Sequence, residues 1–306
     1  MEPIYFHRYS LTSRTSLNSN SERVKHEGAL VRVGGGYGCI HPWPELGDDP
    51  IDKQLSQLKA GSRTPLIESA LRCAEADLDA RKKERPLICD PIPKSHWLIL
   101  AGDNPTEAVS SGFLSAKLKI GCDLESEIRT IHEWVGAGWK VRLDCNENLS
   151  LATFFELWKS VGSIRESIEF VEDPTDWSEE SWRLLREAGV RIAVDRDVET
   201  RFCNGDIAVI KPARTSWIPS GSSRFFVTSY MDHAVGQMWA AAEASRLQSS
   251  SDSDRLLTCG LLTHRCFEND AFFERIRCDG PRLLPAEGTG LGFDDLLEKL
   301  PWKRLN

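Results

Sequence analysis

From about Trp97 onward, short apolar runs alternate with longer amphipathic stretches, and that alternation limits the chain to very few architectures. The runs are "HWLIL", "FLSAKLKI", "KVRLDC", "IEFVED", "RIAVD", "IAVIK" and "RFFVTS", with a last one near "LLTCGLL". All are short enough for strands and too short for ordinary helices. Between them, segments such as "DLESEIRTIHEWVGAG" and "SLATFFELWKSVG" carry apolar residues at helical spacing. Parallel neighbours need a crossover, and a helix is the usual one, so the rhythm predicts an α/β class with a parallel sheet.

Five successive strands carry an ionisable residue at or near the C-terminal end: Lys117 and Lys119, then Asp144, Glu172, Asp195 and Lys211. Counted from Lys119, the separations are 25, 28, 23 and 16 residues, about one βα unit each for the first three. In a (β/α) barrel such ends converge on one mouth, where active sites are built. Alone, each residue has a plain reading: an aspartate ending a strand is a common turn former or helix cap, and a strand lysine is usually solvated. Five in a row point elsewhere. Buried charges must be paired or bound to metal. Three carboxylates flanked by lysines, with room for water and substrate, suit Mg²⁺.

Side chains alternate along a strand, so parity selects within each run. Lys117 and Lys119 share a face. Glu172 shares one with Phe170, which leaves Asp173 to cap or to support. Arg142, Asp144 and Asn146 also share a face, and Arg142 is expected near Lys119, where it either lowers the lysine pKa or simply pairs with a carboxylate.

The first ~90 residues read as a mixed α+β unit by periodicity. "IYFHRY" and "EGALVRVGGGYGCI" are candidate strands, and "SLTSRTSLNSNSE" between them is a polar loop, either plain surface or a flap over a site. In "TPLIESALRCAEADLDARKKE", Leu66, Ala70, Ala74 and Leu78 form one helical stripe. Pro86, Pro91 and Pro93 mark a boundary. We expect a capping domain over residues 1–92, joined by a tail over about 270–306, and a barrel over 93–269.

A formal net charge of -8 argues against nucleic acid as partner. The N-terminus lacks an apolar signal core and no 18-residue apolar stretch occurs, so neither secretion nor a membrane span is expected. Nine scattered cysteines fit a reducing cytoplasm, and Cys259, His264 and Cys266 match no common zinc spacing.

The series "AKLKIG…RLDCN…FVEDP…IAVDRD…VIKP" resembles the enolase superfamily and, within it, the o-succinylbenzoate synthases. "GYGCIHPWPELG" and "LIESALRCAEADLDA" are similar to that family's capping-domain turn and helix, and Arg142, two before Asp144, to an arginine found there. The resemblance implies an enolase-type (β/α) barrel with an N-terminal α+β capping domain. It implies that Asp144, Glu172 and Asp195 bind Mg²⁺, which holds the substrate carboxylate and stabilises an enediolate. Lys119 would remove the α-proton and return it to the departing hydroxyl. Lys117 would neutralise the carboxylate, and Lys211 would stabilise the enediolate from the other side. Arg142, Asn146 and Ser229 would touch substrate, and the loop around residues 13 to 20 would be the flap. Against the family's Asp-Glu-Ser/Thr context the chain has "DRD", which leaves Asp195 or Asp197 as the third ligand and puts Arg196 in place of an acid. The implied activity is a cytoplasmic dehydratase of menaquinone biosynthesis acting on a small carboxylate. Racemase, epimerase and cycloisomerase activities of the superfamily are alternatives, and a non-catalytic barrel is a third.

Overall fold

The computed structural model describes residues 2–15, 17 and 22–306. The chain opens with an antiparallel meander of β1 (Ile4–Thr12), β2 (Lys25–Val33) and β3 (Gly36–Ile40). β1 runs on through Ser10 and Leu11, which the sequence places in the loop. Val33 pairs with Gly36 across Gly34 and Gly35, whose φ values of 59° and 98° suit a two-residue hairpin of the type glycine allows. Helices α1 (Ile51–Lys59) and α2 (Pro65–Lys82) follow. Thr64 caps α2 by accepting the Ile67 N–H, with Pro65 in the first turn. Leu66, Ala70 and Ala74 of the expected stripe are buried and Leu78 is half-buried.

α2 lies against β3 at backbone distance. A Cβ at Gly38 would come within 2.0 Å of the Ala70 carbonyl oxygen, and one at Gly36 within 1.9 Å of that of Ala74. Both obstacles are main chain and cannot rotate away. Gly38→Ala is therefore expected to cost about 3 kcal/mol or more, as overpacking does at its upper end. Gly136→Ala, with no atom within 4 Å, should be neutral or stabilising. Urea midpoints of the two variants compare them directly; equal midpoints would refute this packing.

The parallel sheet comprises β4 (Trp97–Leu98), β5 (Ser115–Lys119), β6 (Lys140–Asp144), β7 (Ile168–Glu172), β8 (Ile192–Val194), β9 (Ile207–Ile210) and β10 (Phe225–Val227), paired in chain order. The connections carry α3 (Pro105–Ser110), α4 (Leu124–Gly136), α5 (Leu151–Ser160), α6 (Glu179–Glu187) and the short α7 (Val198–Arg201), and α8 (Ala234–Gln248) follows β10. Asp123, Ser150 and Ser178 cap α4, α5 and α6 through their side chains. Inside the curl, Phe170, Ala193, Val209 and Phe226 pack as one apolar cluster. Each of the first three lies two residues before Glu172, Asp195 or Lys211, so parity carries those groups to the inner face above a filled floor.

The expected eighth strand near "LLTCGLL" is not a strand. It crosses the gap by single bridges, Phe225 to Leu256, Thr228 to Gly260 and Ser95 to Cys259. The Cys259 carbonyl accepts the His96 N–H and the Gly260 N–H bonds the Val227 carbonyl, which links the two sheet edges. The architecture is an enolase-type (β/α) barrel with an N-terminal α+β unit. Beyond it lie β11 (Cys278–Asp279), β12 (Arg282–Leu283), α9 (Asp294–Leu297) and β13 (Lys303–Arg304). β13 pairs with β1, Tyr5 opposite Arg304, and so returns the tail to the first sheet. No helix among the described residues is long and apolar enough to cross a membrane.

Candidate active site

A cavity of about 480 Å³ opens at the C-terminal ends of the barrel strands. Lys117, Lys119, Asp144, Glu172, Asp195 and Lys211 all line it, as do Asn146 and Ser229. Both lysines of β5 thus face inward. In register, Lys119 is opposite Asp144, and Asp144 opposite Glu172, so the acidic ends stand side by side.

Lys117 is buried and forms the hub. Its Nζ lies 2.9 Å from Asp144 Oδ2 and 2.7 Å from Glu172 Oε2. Burial alone would lower its pKa, but the two carboxylates outweigh that and raise it. Burial would raise Asp144, yet Lys117 and Lys119 hold it below the usual range. Glu172 goes the other way. Burial first, and then the negative charge of Asp144, push it to about 7. Lys211 donates to Asp195. Among the described residues, Lys119 makes no carboxylate pair; its ammonium donates to the Leu17 carbonyl, with the Met231 sulfur at 3.9 Å. Its pKa is lowered, by burial first and by the charges of Lys117 and Lys211 against an opposing pull from Asp144. A depressed lysine between cations is the pattern of a base.

The loops at these ends are held in uncommon backbone. Asn146, Glu147 and Asp173 have φ of 48°, 61° and 42°. Asp173 turns away from the cavity and accepts the N–H groups of Asp195 and Arg196 at 3.1 Å, which fixes the third carboxylate strand end. Asp195 and Asp197 both line the cavity, but Asp197 pairs with Arg201 and its side chain is 63% exposed, whereas the Asp195 side chain is 15% exposed and faces Lys211.

Among the described residues, no three acidic, histidine or cysteine side chains stand at the spacing of a ready-made metal cage. The ammonium of Lys117 lies between two of the carboxylates and that of Lys211 beside the third. The donor set still suits a hard divalent ion, because it consists of oxygen donors from three neighbouring strand ends, two of them converging on one point.

Arg142 departs from expectation. It does not line the cavity. Its guanidinium lies over the rings of Phe170 and Phe226 at 4.8 and 5.3 Å, beneath the mouth. There it bonds Glu169 at 2.5 Å, the Thr258 carbonyl at 2.7 Å and His96 Nδ1 at 3.0 Å. Its register partner is Lys117, not Lys119, and the lowering of the Lys119 pKa comes chiefly from burial, with Lys117 and Lys211 adding to it. The reason is the direction of the side chain: Arg142 turns onto Phe170, Phe226 and Glu169, whereas Lys117, at the same level of the barrel, reaches Asp144 and Glu172. Here Arg142 is a buried, bonded cation, joined to the cavity wall through His96. Of the expected flap, Ser13 bridges Phe267 and Leu17 meets Lys119, while residues 16 and 18–20 lie outside the described residues.

Several contributors were not read from the sequence. Leu46 and Pro65 of the N-terminal unit reach the cavity. Asp48 accepts from Arg214 and from Tyr230 Oη, which ties the "HPWPELGDD" turn to the barrel. Glu147 holds both Arg196 and Arg201. The turn-rich stretch with its acids was the one visible signal.

Residues 4–80 match the family described as o-succinylbenzoate synthase, N-terminal domain, and residues 103–203 match the enolase C-terminal domain-like family. The o-succinylbenzoate synthase of Bdellovibrio bacteriovorus is 32% identical over 329 aligned positions, covering 100% of this chain and 99% of its own length. The chain belongs to the o-succinylbenzoate synthase family of the enolase superfamily. The synthase of Pectobacterium atrosepticum is 28% identical over 65% of this chain and 67% of its own. Solved structures agree on the fold. A mandelate racemase/muconate lactonizing protein from Herpetosiphon aurantiacus superposes with a TM-score of 0.73 at 14% identity, over 95% of this chain and 97% of that one. A dipeptide epimerase from Enterococcus faecalis, solved with Mg and the dipeptide L-Leu-L-Tyr, gives 0.73 at 16% identity, over 95% and 99%.

Proposed function

We propose that the chain catalyses the Mg²⁺-dependent syn elimination of water from 2-succinyl-6-hydroxy-2,4-cyclohexadiene-1-carboxylate, giving o-succinylbenzoate for menaquinone biosynthesis. The observation that carries this reading is the convergence of three lysines and three carboxylates in one cavity, on a chain similar over its full length to a protein of that name. The sheet order supports the division of labour. Lys119 ends β5, Lys211 follows β9, and the three carboxylate strands lie between them. The capping unit is taken as 1–92 with the tail from about 270, over a barrel of 93–269.

Asp144, Glu172 and Asp195 would hold Mg²⁺, supplying Lewis-acid pull on the substrate carboxylate. Lys119 Nζ, as free amine, takes the proton from the carbon bearing that carboxylate. The electron pair left behind forms the new ring double bond as the neighbouring C–O bond breaks. The Lys119 ammonium then returns its proton to the departing hydroxyl, which leaves as water. One group serves twice because both events fall on one face of the ring. Lys211 and Lys117 balance the charge that builds on the carboxylate. Asn146 and Ser229 contact substrate, and Ser229 is oriented by Thr263 at 2.6 Å.

Purified protein with Mg²⁺ is expected to convert the cyclohexadiene to o-succinylbenzoate, followed by the absorbance of the aromatic product, and to stop with EDTA. No product with Mg²⁺ present would remove the proposal. A lysine on either side of the metal-ligand strands also suits racemisation. Solvent-deuterium incorporation at the α-carbon of an N-acylamino acid, without dehydration, would favour that second reading.

A further inference from the structure

Arg196 lines the cavity from the loop after β8, one residue beyond Asp195. Its Nη1 bonds Glu147 Oε2 at 3.0 Å. The other Glu147 oxygen is taken by Arg201, which also pairs with Asp197. Arg196 is thus left with a share of one carboxylate, and its Nη2 is buried with no acceptor. A buried guanidinium N–H without a partner is costly and uncommon, and in a ligand cavity it marks a place where the ligand supplies the acceptor. The other cavity cations are committed: Lys117 to Asp144 and Glu172, Lys119 to Leu17, Lys211 to Asp195 and Arg214 to Asp48.

We infer that Arg196 is a specificity-determining residue whose unpartnered Nη2, once turned toward the cavity, donates to the substrate's second carboxylate, the one at the end of the succinyl arm. The inference rests on the proposed dehydration, whose substrate carries two carboxylates. Lys117 and the Mg²⁺ that the three acidic strand ends would hold are taken up by the carboxylate at the reacting carbon, so a second anion needs a second cation. Glu147 and the Asp173-bound backbone hold the base of Arg196 at the cavity, so that a turn of the guanidinium, not a search by the whole side chain, brings Nη2 to the ligand.

The test pairs a residue change with a ligand change. Binding of o-succinylbenzoate, and of its analogue with the succinyl carboxylate replaced by a primary amide, is measured by titration calorimetry with Mg²⁺. Wild-type protein should prefer the dicarboxylate by tenfold or more. Arg196→Met should weaken the dicarboxylate by about the same factor and bind the two ligands alike, while Arg196→Lys keeps part of the preference. In turnover, KM rises more than kcat falls. Circular dichroism establishes that each variant is folded; if the methionine variant is not, Arg196→Gln replaces it in the same comparison. A variant that keeps the wild-type preference would overturn the inference while leaving the dehydration intact. Wild-type protein that yields no product would instead overturn the proposed reaction.

Discussion

Lys119→Ala is expected to lower kcat for dehydration by about 10³-fold, within the usual range for loss of a positioned acid–base group. The expected size follows from its double use: the same amine takes the α-proton and delivers it to the hydroxyl, so its loss removes the base of one step and the acid of the next. Mg²⁺ affinity should persist, because Lys119 makes no contact with Asp144, Glu172 or Asp195 in the hydrogen-bonding network. The pH profile gives an independent readout. As a base, Lys119 works unprotonated, so kcat/KM rises with pH on a limb set by its pKa. That pKa lies below the ordinary 10.5 because of burial and the charges of Lys117 and Lys211. In the alanine variant the limb should disappear. Arginine at the position should not rescue activity, since a guanidinium stays protonated. A variant retaining activity within fivefold of wild type would show that the proton goes elsewhere.

The inner face of the barrel was legible because parity is a local property. Phe170 with Glu172, Val209 with Lys211 and Lys117 with Lys119 each share a face by spacing alone, and the apolar cluster under the mouth follows from the same rule. Nothing long-range was needed. The helix stripe of α2 was readable for the same reason, and Leu78 falls short of full burial because it faces the glycine turn of β2 and β3.

What failed depended on side-chain direction or on partners far along the chain. Arg142 shares parity with Asp144 and register with Lys117, but neither says which way a long side chain turns. Its partners Glu169, Thr258 and His96 come from three separate segments. The run near "LLTCGLL" has strand composition yet closes the barrel by isolated bridges, since its neighbours at Phe225 and Ser95 approach at points rather than along a length. The sequence does not single out Glu147. Its value lies in two arginines 49 and 54 residues away, which no local pattern reveals.

Lys117→Met is expected to destabilise the protein by about 3–5 kcal/mol at pH 7.5 in EDTA, the usual result of removing one partner from a buried ion group. The methionine fills similar space, so the loss is electrostatic. Asp144 and Glu172 remain buried, with Lys117 no longer between them. Without that ammonium, Asp144 should lose the main influence that holds it below its ordinary 3.8, and Glu172, already at about 7, should rise further. A raised acid costs stability above its unfolded value, and the cost vanishes as pH falls below it. The gap between variant and wild type should therefore narrow from pH 7.5 toward pH 4. A cation that these carboxylates grip should do what the lysine did: Mg²⁺ at about a hundred times its Kd returns about 2.7 kcal/mol. Denaturant midpoints in EDTA and in Mg²⁺ at the two pH values separate the effects. A variant as stable as wild type in EDTA at pH 7.5 would mean that the lysine and the two acids are not the buried, mutually neutralising group described above. Loss without recovery in Mg²⁺ would mean that the group is real and the metal assignment is not.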